Sequence, residues 1–191
     1  MSRVSLLSYR TCVLGGSVTG IAVTTLFATR AGLTPLLWIA VAAFAVCVAL
    51  FLAAMTKVLF GVESFSFLHY QLATVAATMV MLPSALDLLA LALAIAQAIG
   101  RIGCASAGCC HGRVGRVRVQ YVESATLFVI AALTAIYGFA FYVIAYAIAR
   151  FTLEYFRDDE RRRWLGVSEA QWICALSALA ILIVRFAGGH A

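Results

Sequence analysis

The chain has 191 residues, of which 64% are apolar and 12% are charged, and its formal net charge is +6. Soluble domains are about 45–50% apolar and about 25% charged, so the composition excludes a water-soluble globule, a disordered chain and a coiled coil. The six cysteines do not suggest a secreted disulfide scaffold, because three of them lie singly inside apolar runs. The composition predicts an all-α polytopic membrane protein.

Five apolar runs have the length that a membrane crossing requires. A bilayer core about 30 Å thick needs roughly 20 apolar residues in a helix. The runs cover residues 11–29, 31–56, 64–82, 84–100 and 167–184, and each is followed at once by a basic residue or a proline. The last run begins with Ser168 and Gln171, whose spacing is typical of a helix-capping box.

The segment 121–157 is harder to interpret, because its 37 residues are too many for one span and few for two. Tyr137-Gly138 near its centre gives a turn signal. We interpret the segment as a hairpin of two short helices, which makes about seven transmembrane helices, with six as the alternative. No linker or repeat divides the chain, so we expect a single membrane domain over residues 1–191.

Basic residues are distributed unequally between the two faces that seven spans would create. One face has two, Arg30 and Arg185. The other face has eleven: Arg3, Arg10, Lys57, Arg101, Arg113, Arg116, Arg118, Arg157, Arg161, Arg162 and Arg163. The positive-inside rule therefore predicts that the face with eleven basic residues, and with it the N-terminus, is cytoplasmic. Short basic segments between apolar runs favour anionic lipid headgroups as partners, and not nucleic acid.

Two clusters of ionisable residues carry the candidate chemistry, since charged groups in a membrane mark function or pairing. Residues 100–113, read as a glycine-rich loop, contain Arg101 and Arg113, and guanidinium groups suit phosphate. In residues 146–157, Arg150 and Glu154 share a helix face and can form an ion pair. The residues alone leave two interpretations equally open: a pair that neutralises itself, or an arginine oriented for an anionic headgroup.

The cysteines of the first cluster suggest a second class of function. Cys104, Cys109, Cys110 and His111 could be soft metal ligands, or the cysteines could be redox-active thiols beside an arginine. The spacing C-x4-C-C-H is not a standard zinc pattern. We therefore favour the interpretation that these cysteines are small side chains packed in a tight loop, and we predict no metal site. The alternative function is a membrane thiol oxidoreductase or a metal-handling protein.

Both clusters resemble segments of the bacterial prolipoprotein diacylglyceryl transferase family. Gly-Arg-Ile-Gly-x8-Gly-Arg over residues 100–113 is similar to the family's signature segment, and Tyr146 with Arg-x3-Glu-x2-Arg over residues 150–157 is similar to its second arginine segment. Weaker matches occur in the same order along the chain, at Tyr9, at 64–69, at 120–123 and at 168–171. Cys104 and Cys109 replace the usual Asn and Glu, and residues 114–119 replace a large external arm.

The resemblance implies a multi-pass enzyme of the bacterial plasma (inner) membrane that works without a cofactor. It would move the diacylglyceryl group of phosphatidylglycerol to the cysteine thiol of a lipoprotein precursor and release glycerol phosphate. Arg101 and Arg150 would hold the phosphate, Glu123 and Glu154 would orient the arginines, and His69 would be the base. The other expected substrate-binding residues are Tyr9, Gly103, Cys104, Gly112, Arg113, Tyr146 and Arg157. In the family the signature segment is external, whereas the charge count places it in the cytoplasm, and both orientations stay open.

Overall fold

The computed structural model of the protein describes residues 3–60, 67–108, 112–157 and 163–188. These ranges form six α-helices: α1 (Arg3–Ala28), α2 (Pro35–Phe60), α3 (Phe67–Met81), α4 (Leu86–Ala107), α5 (Val119–Glu154) and α6 (Glu169–Gly188). Two short antiparallel hairpins precede α5 and α6: β1 (Arg113–Val114) with β2 (Val117–Arg118), and β3 (Arg163–Trp164) with β4 (Val167–Ser168). The all-α prediction is confirmed, and the two hairpins were not predicted.

By length and composition, four helices within the described ranges can cross a membrane: α1, α2, α4 and α5. The apolar part of α6, Glu169–Val184, is shorter. These helices confirm a polytopic membrane protein, while the number of spans, seven or six, stays a prediction. Helix α1 begins before the predicted apolar run, and α2 begins later than residue 31 because Gly32 ends the preceding turn with φ +72°.

Helix α5 reverses direction at Gly138, where φ is 75° and ψ is −166°. Arg150, near the end of α5, contacts Glu123, near its beginning, and this contact requires the two parts of the helix to lie side by side. We call residues 119–137 the first arm and residues 139–154 the second arm. The hairpin expected inside 121–157 is therefore present, and its turn lies where Tyr137-Gly138 predicted it.

Asp87 stabilises this reversal from the first turn of α4. Its Oδ1 accepts a hydrogen bond of 2.7 Å from the backbone N–H of Phe139, which is one of the amides left without a partner at the start of the second arm. A Cβ on residue 138 would lie 2.6 Å from the same oxygen. Gly138 is thus required both by its positive φ and by the closeness of Asp87.

Helices α1 and α4 pack with their backbones almost in contact. A Cβ at Gly20 would lie 2.5 Å from the carbonyl oxygen of Ala92, and a Cβ at Gly16 would lie 2.8 Å from that of Ala96. Small residues allow this approach between membrane helices, where dispersion contacts stabilise association more than the hydrophobic effect does. Helix α4 is therefore held between α1 and the arms of α5, with most of its side chains buried.

Helix α4 also continues seven residues past its predicted end at Gly100, to Ala107. The interpretation of residues 100–113 as a loop was wrong for this part, and Cys104 lies on a helix. Gly103 is buried in the same turn, so tertiary packing outweighs the low helix propensity of glycine. The helix ends at Gly108, which has φ 62° and forms a left-handed C-cap.

The predicted capping box at the start of α6 is confirmed. The N–H of Ser168 donates to Oε1 of Gln171 at 3.0 Å, and the N–H of Gln171 donates to Oγ of Ser168 at 3.3 Å. Nε2 of Gln171 also donates to the carbonyl oxygen of Phe151 at 3.3 Å. The cap therefore joins the start of α6 to the end of the second arm.

Candidate functional site

Glu123 is the centre of a buried ionic cluster. It lies in the second turn of the first arm and is 4% exposed. Its Oε2 is 3.2 Å from Nε of Arg101, and its Oε1 is 3.2 Å from Nη1 of Arg150. Nη2 of Arg157 donates to both oxygens, at 2.7 and 2.8 Å. Three guanidinium groups from two distant parts of the sequence therefore contact one carboxylate.

Glu154 adds a second carboxylate to the cluster. Its Oε2 lies 2.8 Å from Nη1 of Arg150 and 3.9 Å from Nε of Arg157. We call Arg101, Glu123, Arg150, Glu154 and Arg157 the arginine cluster. Three guanidinium groups and two carboxylates thus meet in one place. Guanidinium groups form charge-assisted hydrogen bonds with phosphate and carboxylate oxygens, so the cluster is suited to bind an anionic group.

An open cavity adjoins the arginine cluster, with about 250 Å³ of empty space when the part open to solvent is included. Residues from α4 and from both arms of α5 line it: Arg101, Glu123, Thr126, Leu127, Tyr146, Ala149, Arg150 and Leu153. One wall is ionic, and the remainder is aliphatic or aromatic with two hydroxyl groups. This lining suits a ligand with an anionic end and a hydrocarbon end, since each end meets groups of its own kind.

The backbone of Gly112 connects the segment of Arg157 to the start of α5. It forms an antiparallel β-bridge with Arg157, and its carbonyl oxygen accepts a hydrogen bond of 3.2 Å from the N–H of Val119, the first residue of α5. Its φ is 130°, and a Cβ there would overlap the carbonyl oxygen of Phe156. A glycine is therefore needed to hold the segment of Arg157 against the start of the first arm.

The structure brings many of the predicted site residues together. Five of them form the arginine cluster, and Tyr146 lines the adjoining cavity. Gly103 and Cys104 are buried on α4, Gly112 lies at the bridge, and Arg113 is exposed on β1. Sequence reasoning did not single out Thr126, Leu127, Ala149 and Leu153, because nothing in an apolar run distinguishes cavity-lining positions from packed ones.

His69 is not among the residues that line the cavity. It is in the first turn of α3, and its Nε2 is 3.5 Å from Oε1 of Glu169, the first residue of α6. Its role as a base stays a prediction. Tyr9 belongs to α1, but its side chain lies outside the part of the chain that the structure describes.

Three of the four residues considered as metal ligands or redox-active thiols, Cys109, Cys110 and His111, also lie outside the residues that the structure describes. Among the residues that are described, no group of three or more His, Cys, Asp or Glu side chains is placed to hold a metal ion. The thiol oxidoreductase or metal-handling alternative stays a prediction.

Sequence reasoning also missed a buried polar network beside the cavity. Nε2 of Gln71 donates to the hydroxyl of Tyr142 at 2.7 Å, and Nε2 of Gln97 donates to Oε1 of Gln71 at 2.7 Å. The ring of Tyr142 stacks on that of Tyr146, with centroids 5.8 Å apart. Two glutamines inside apolar runs were the signal, because such residues form hydrogen bonds between membrane helices.

Comparison with known proteins gives one family and one related protein. The sequence model of the prolipoprotein diacylglyceryl transferase family matches residues 58–187, which include the whole arginine cluster. A phosphatidylglycerol–prolipoprotein diacylglyceryl transferase from Clostridium tetani (strain Massachusetts / E88) is 28% identical, over 52% of this chain and 51% of that protein. The chain thus spans about half the length of this curated relative. No solved structure matches the chain.

Proposed function

Because the chain belongs to the prolipoprotein diacylglyceryl transferase family, we propose that it transfers a diacylglyceryl group from phosphatidylglycerol to the cysteine thiol of a lipoprotein precursor in the bacterial plasma membrane. The observation that carries the proposal is the convergence of Arg101 and Arg150 on Glu123, beside a cavity with an apolar wall.

The arginine cluster is the proposed headgroup site. Phosphatidylglycerol has a phosphodiester with one negative charge, and guanidinium groups form charge-assisted hydrogen bonds with phosphate oxygens. Glu123 and Glu154 contact the guanidinium groups at 2.7–3.9 Å, so the arginines are already oriented before the lipid arrives. Preorganised donors bind an anion with less loss of conformational entropy than free side chains do.

The apolar side of the cavity is the proposed site for the glyceryl backbone and the first part of the acyl chains. Leu127 comes from the first arm, and Ala149 and Leu153 come from the second arm, so the cavity lies between the two arms. These three side chains and Tyr146 offer a hydrocarbon surface next to the ionic wall. A phospholipid placed there keeps its phosphate on the arginines and its chains in apolar surroundings.

The transfer is a substitution at the carbon of the diacylglyceryl group that is bonded to a phosphate ester oxygen. The thiol gives its proton to a base, the sulfur forms a bond to that carbon, and the carbon–oxygen bond breaks. The electron pair of the broken bond stays on the phosphate oxygen, so glycerol phosphate leaves with one more negative charge than the diester had. Arg101 and Arg150 stabilise this charge as it develops, which lowers the barrier.

We assign the removal of the thiol proton to His69, since histidine is the side chain that most often serves as a general base. The carboxylate of Glu169 lies 3.5 Å from Nε2 and can stabilise the imidazolium that forms. His69 is two residues before Gln71, whose amide bonds to Tyr142, and Tyr142 stacks on the cavity-lining Tyr146. This series of contacts fixes the position of α3 relative to the cavity.

The experiment incubates the purified protein with labelled phosphatidylglycerol and a peptide that carries a lipoprotein-type cysteine. The expected product is a thioether-linked diacylglyceryl peptide, identified by mass spectrometry. Arg101→Ala or Arg150→Ala should lower its rate of formation by about a hundredfold or more, as for the loss of other donors to a developing anion.

The matched control is Arg30→Ala, because Arg30 is exposed and contacts only the ring of Phe27 among the described residues. This variant should keep the rate of the unmodified protein. An undiminished rate in folded Arg150→Ala would contradict the proposed site, and the absence of any thioether product with the unmodified protein would contradict the proposed reaction.

A further inference from the structure

The β1–β2 hairpin presents a basic surface that the arginine cluster does not use. Arg113, Arg116 and Arg118 are all exposed. Nη1 of Arg118 donates to the carbonyl oxygen of Ala105 at 2.9 Å, which attaches the hairpin to the last turn of α4. Within the described part of the chain, Arg113 and Arg116 form no ion pair. Both side chains are exposed, so an anion outside the protein can reach their guanidinium groups.

The acidic residues that the structure describes all have contacts elsewhere. Glu123 and Glu154 belong to the arginine cluster, and Glu169 lies beside His69. Asp87 accepts the N–H of Phe139 at the reversal of α5. Among the residues that the structure describes, none of these four carboxylates is paired with Arg113 or Arg116.

The hairpin stands at the end of the bundle that holds the ionic wall of the cavity. Strand β2 leads directly into α5, and Glu123 follows about one turn later. Gly112, just before β1, is bridged to Arg157 of the cluster. An anion attracted to this surface is therefore brought to the mouth of the proposed headgroup site.

Exposed apolar and aromatic side chains lie beside the basic groups. Val117 on β2 is 49% exposed, and Tyr155 and Phe156, next to the bridge of Gly112, are 71% and 43% exposed. Guanidinium groups next to exposed aromatic rings are typical of the membrane interface, where rings lie at headgroup level and cations meet phosphates. A soluble acidic partner would leave these apolar groups without a favourable environment.

We propose that this hairpin is a docking surface for the anionic headgroups of the bilayer, and that it concentrates anionic phospholipid at the cavity. The docking itself is independent of catalysis, whereas the supply of substrate rests on the proposed function. A basic residue close to an anionic membrane surface favours anionic lipid by about fivefold, so Arg113 and Arg116 together produce a strong local preference.

The test measures which lipids lie next to the hairpin. A photoreactive p-benzoylphenylalanine replaces Val117, and the protein is reconstituted in vesicles of equimolar phosphatidylglycerol and phosphatidylcholine. After illumination, mass spectrometry gives the ratio of the two lipids among the adducts. We expect an enrichment of phosphatidylglycerol of roughly 25-fold, about fivefold for each arginine, that falls about fivefold with Arg116→Gln and to near the bulk ratio with Arg113→Gln in addition.

The control position is Ile136, which is 73% exposed near the other end of the first arm. Its adducts should have the bulk lipid ratio with and without the arginine substitutions. A bulk ratio at position 117, or an enrichment that survives both substitutions, would overturn the proposal, and so would a protein adduct in isolated cell membranes. Since the readout needs no turnover, a failed transfer reaction with the lipid pattern intact would refute the proposed function alone.

Discussion

The backbone of Gly112 pairs with that of Arg157, and the guanidinium of Arg157 binds Glu123 through both carboxylate oxygens. These contacts join the end of residues 100–113 to the end of residues 146–157. The site therefore depends on a backbone contact as much as on its charged side chains.

Gly112→Ala should disrupt this arrangement. The added Cβ would overlap the carbonyl oxygen of Phe156 at a backbone φ of 130°, so the bridge to Arg157 must open. We expect a loss of about 2–4 kcal/mol in the free energy of unfolding and a strong loss of transferase activity. Thermal unfolding in detergent and the thioether assay measure the two effects.

Gly115→Ala is the matched control, because Gly115 also has a positive φ of 61° but its Cβ would meet open space. This substitution should cost only about 1–2 kcal/mol, from backbone strain, and should keep most of the activity. Equal effects of the two substitutions would show that the closeness of Gly112 to Phe156 is unimportant.

Glu123→Gln should destabilise the protein more than any other single change of charge in the cluster. It removes the carboxylate that three arginines share and leaves their like charges buried together. We expect a loss of about 3–5 kcal/mol, the range for breaking a buried ion pair by removing one partner. The midpoint of thermal unfolding is the measurement.

Glu169→Gln provides the comparison for this charge change, since the Glu169 side chain is 70% exposed. Its effect on unfolding should stay within about 0.5 kcal/mol. If Glu123→Gln is as mild as Glu169→Gln, the arginines are held by something other than the shared carboxylate.

The packing of α1 on α4 gives a prediction that is independent of the site. Gly20→Ala should lower the free energy of unfolding by about 1–3 kcal/mol, because its Cβ would lie 2.5 Å from the carbonyl oxygen of Ala92. Gly15→Ala, five residues earlier in the same helix, meets nothing within 4 Å and should be neutral or stabilising. Thermal unfolding of the two variants side by side would refute the close contact if their effects are alike.

The buried polar network should contribute through its hydrogen bonds. Gln97→Leu removes the donor to Gln71, and Tyr142→Phe removes the hydroxyl that accepts from Gln71. Hydrogen bonds between membrane helices contribute about 0.6 kcal/mol on average and about 1.7 kcal/mol at most, so each variant should lose an amount in this range. A double-mutant cycle measures the coupling, and strict additivity would contradict a connected network.

Much of the fold could be predicted from composition and run length. The long apolar runs predicted the helices, and Tyr137-Gly138 predicted the reversal that places Arg150 beside Glu123. The end of α4 was misplaced because Gly100 and Gly103 suggest a loop when read locally, whereas packing within the bundle keeps them helical.

The candidate site was predictable in its charges but not in its geometry. Arg101, Arg150 and Glu154 stand out because ionisable residues are rare in apolar surroundings. The resemblance implied that Glu123 orients Arg101 and Arg150, but no local pattern encodes the additional contact of Arg157 with both of its oxygens. The bridge between Gly112 and Arg157 spans two clusters and is equally invisible to spacing.

The central claim is that Arg101 and Arg150 bind the phosphate of an anionic lipid, and an equilibrium measurement tests it most directly. Short-chain phosphatidylglycerol and phosphatidylcholine are titrated into the purified protein in detergent, and the ratio of the two dissociation constants is compared with that of Arg101→Ala/Arg150→Ala. We predict a preference for phosphatidylglycerol of tenfold or more that disappears in the folded double variant, as expected for the loss of two charge-assisted contacts. An unchanged preference in that variant would contradict the account.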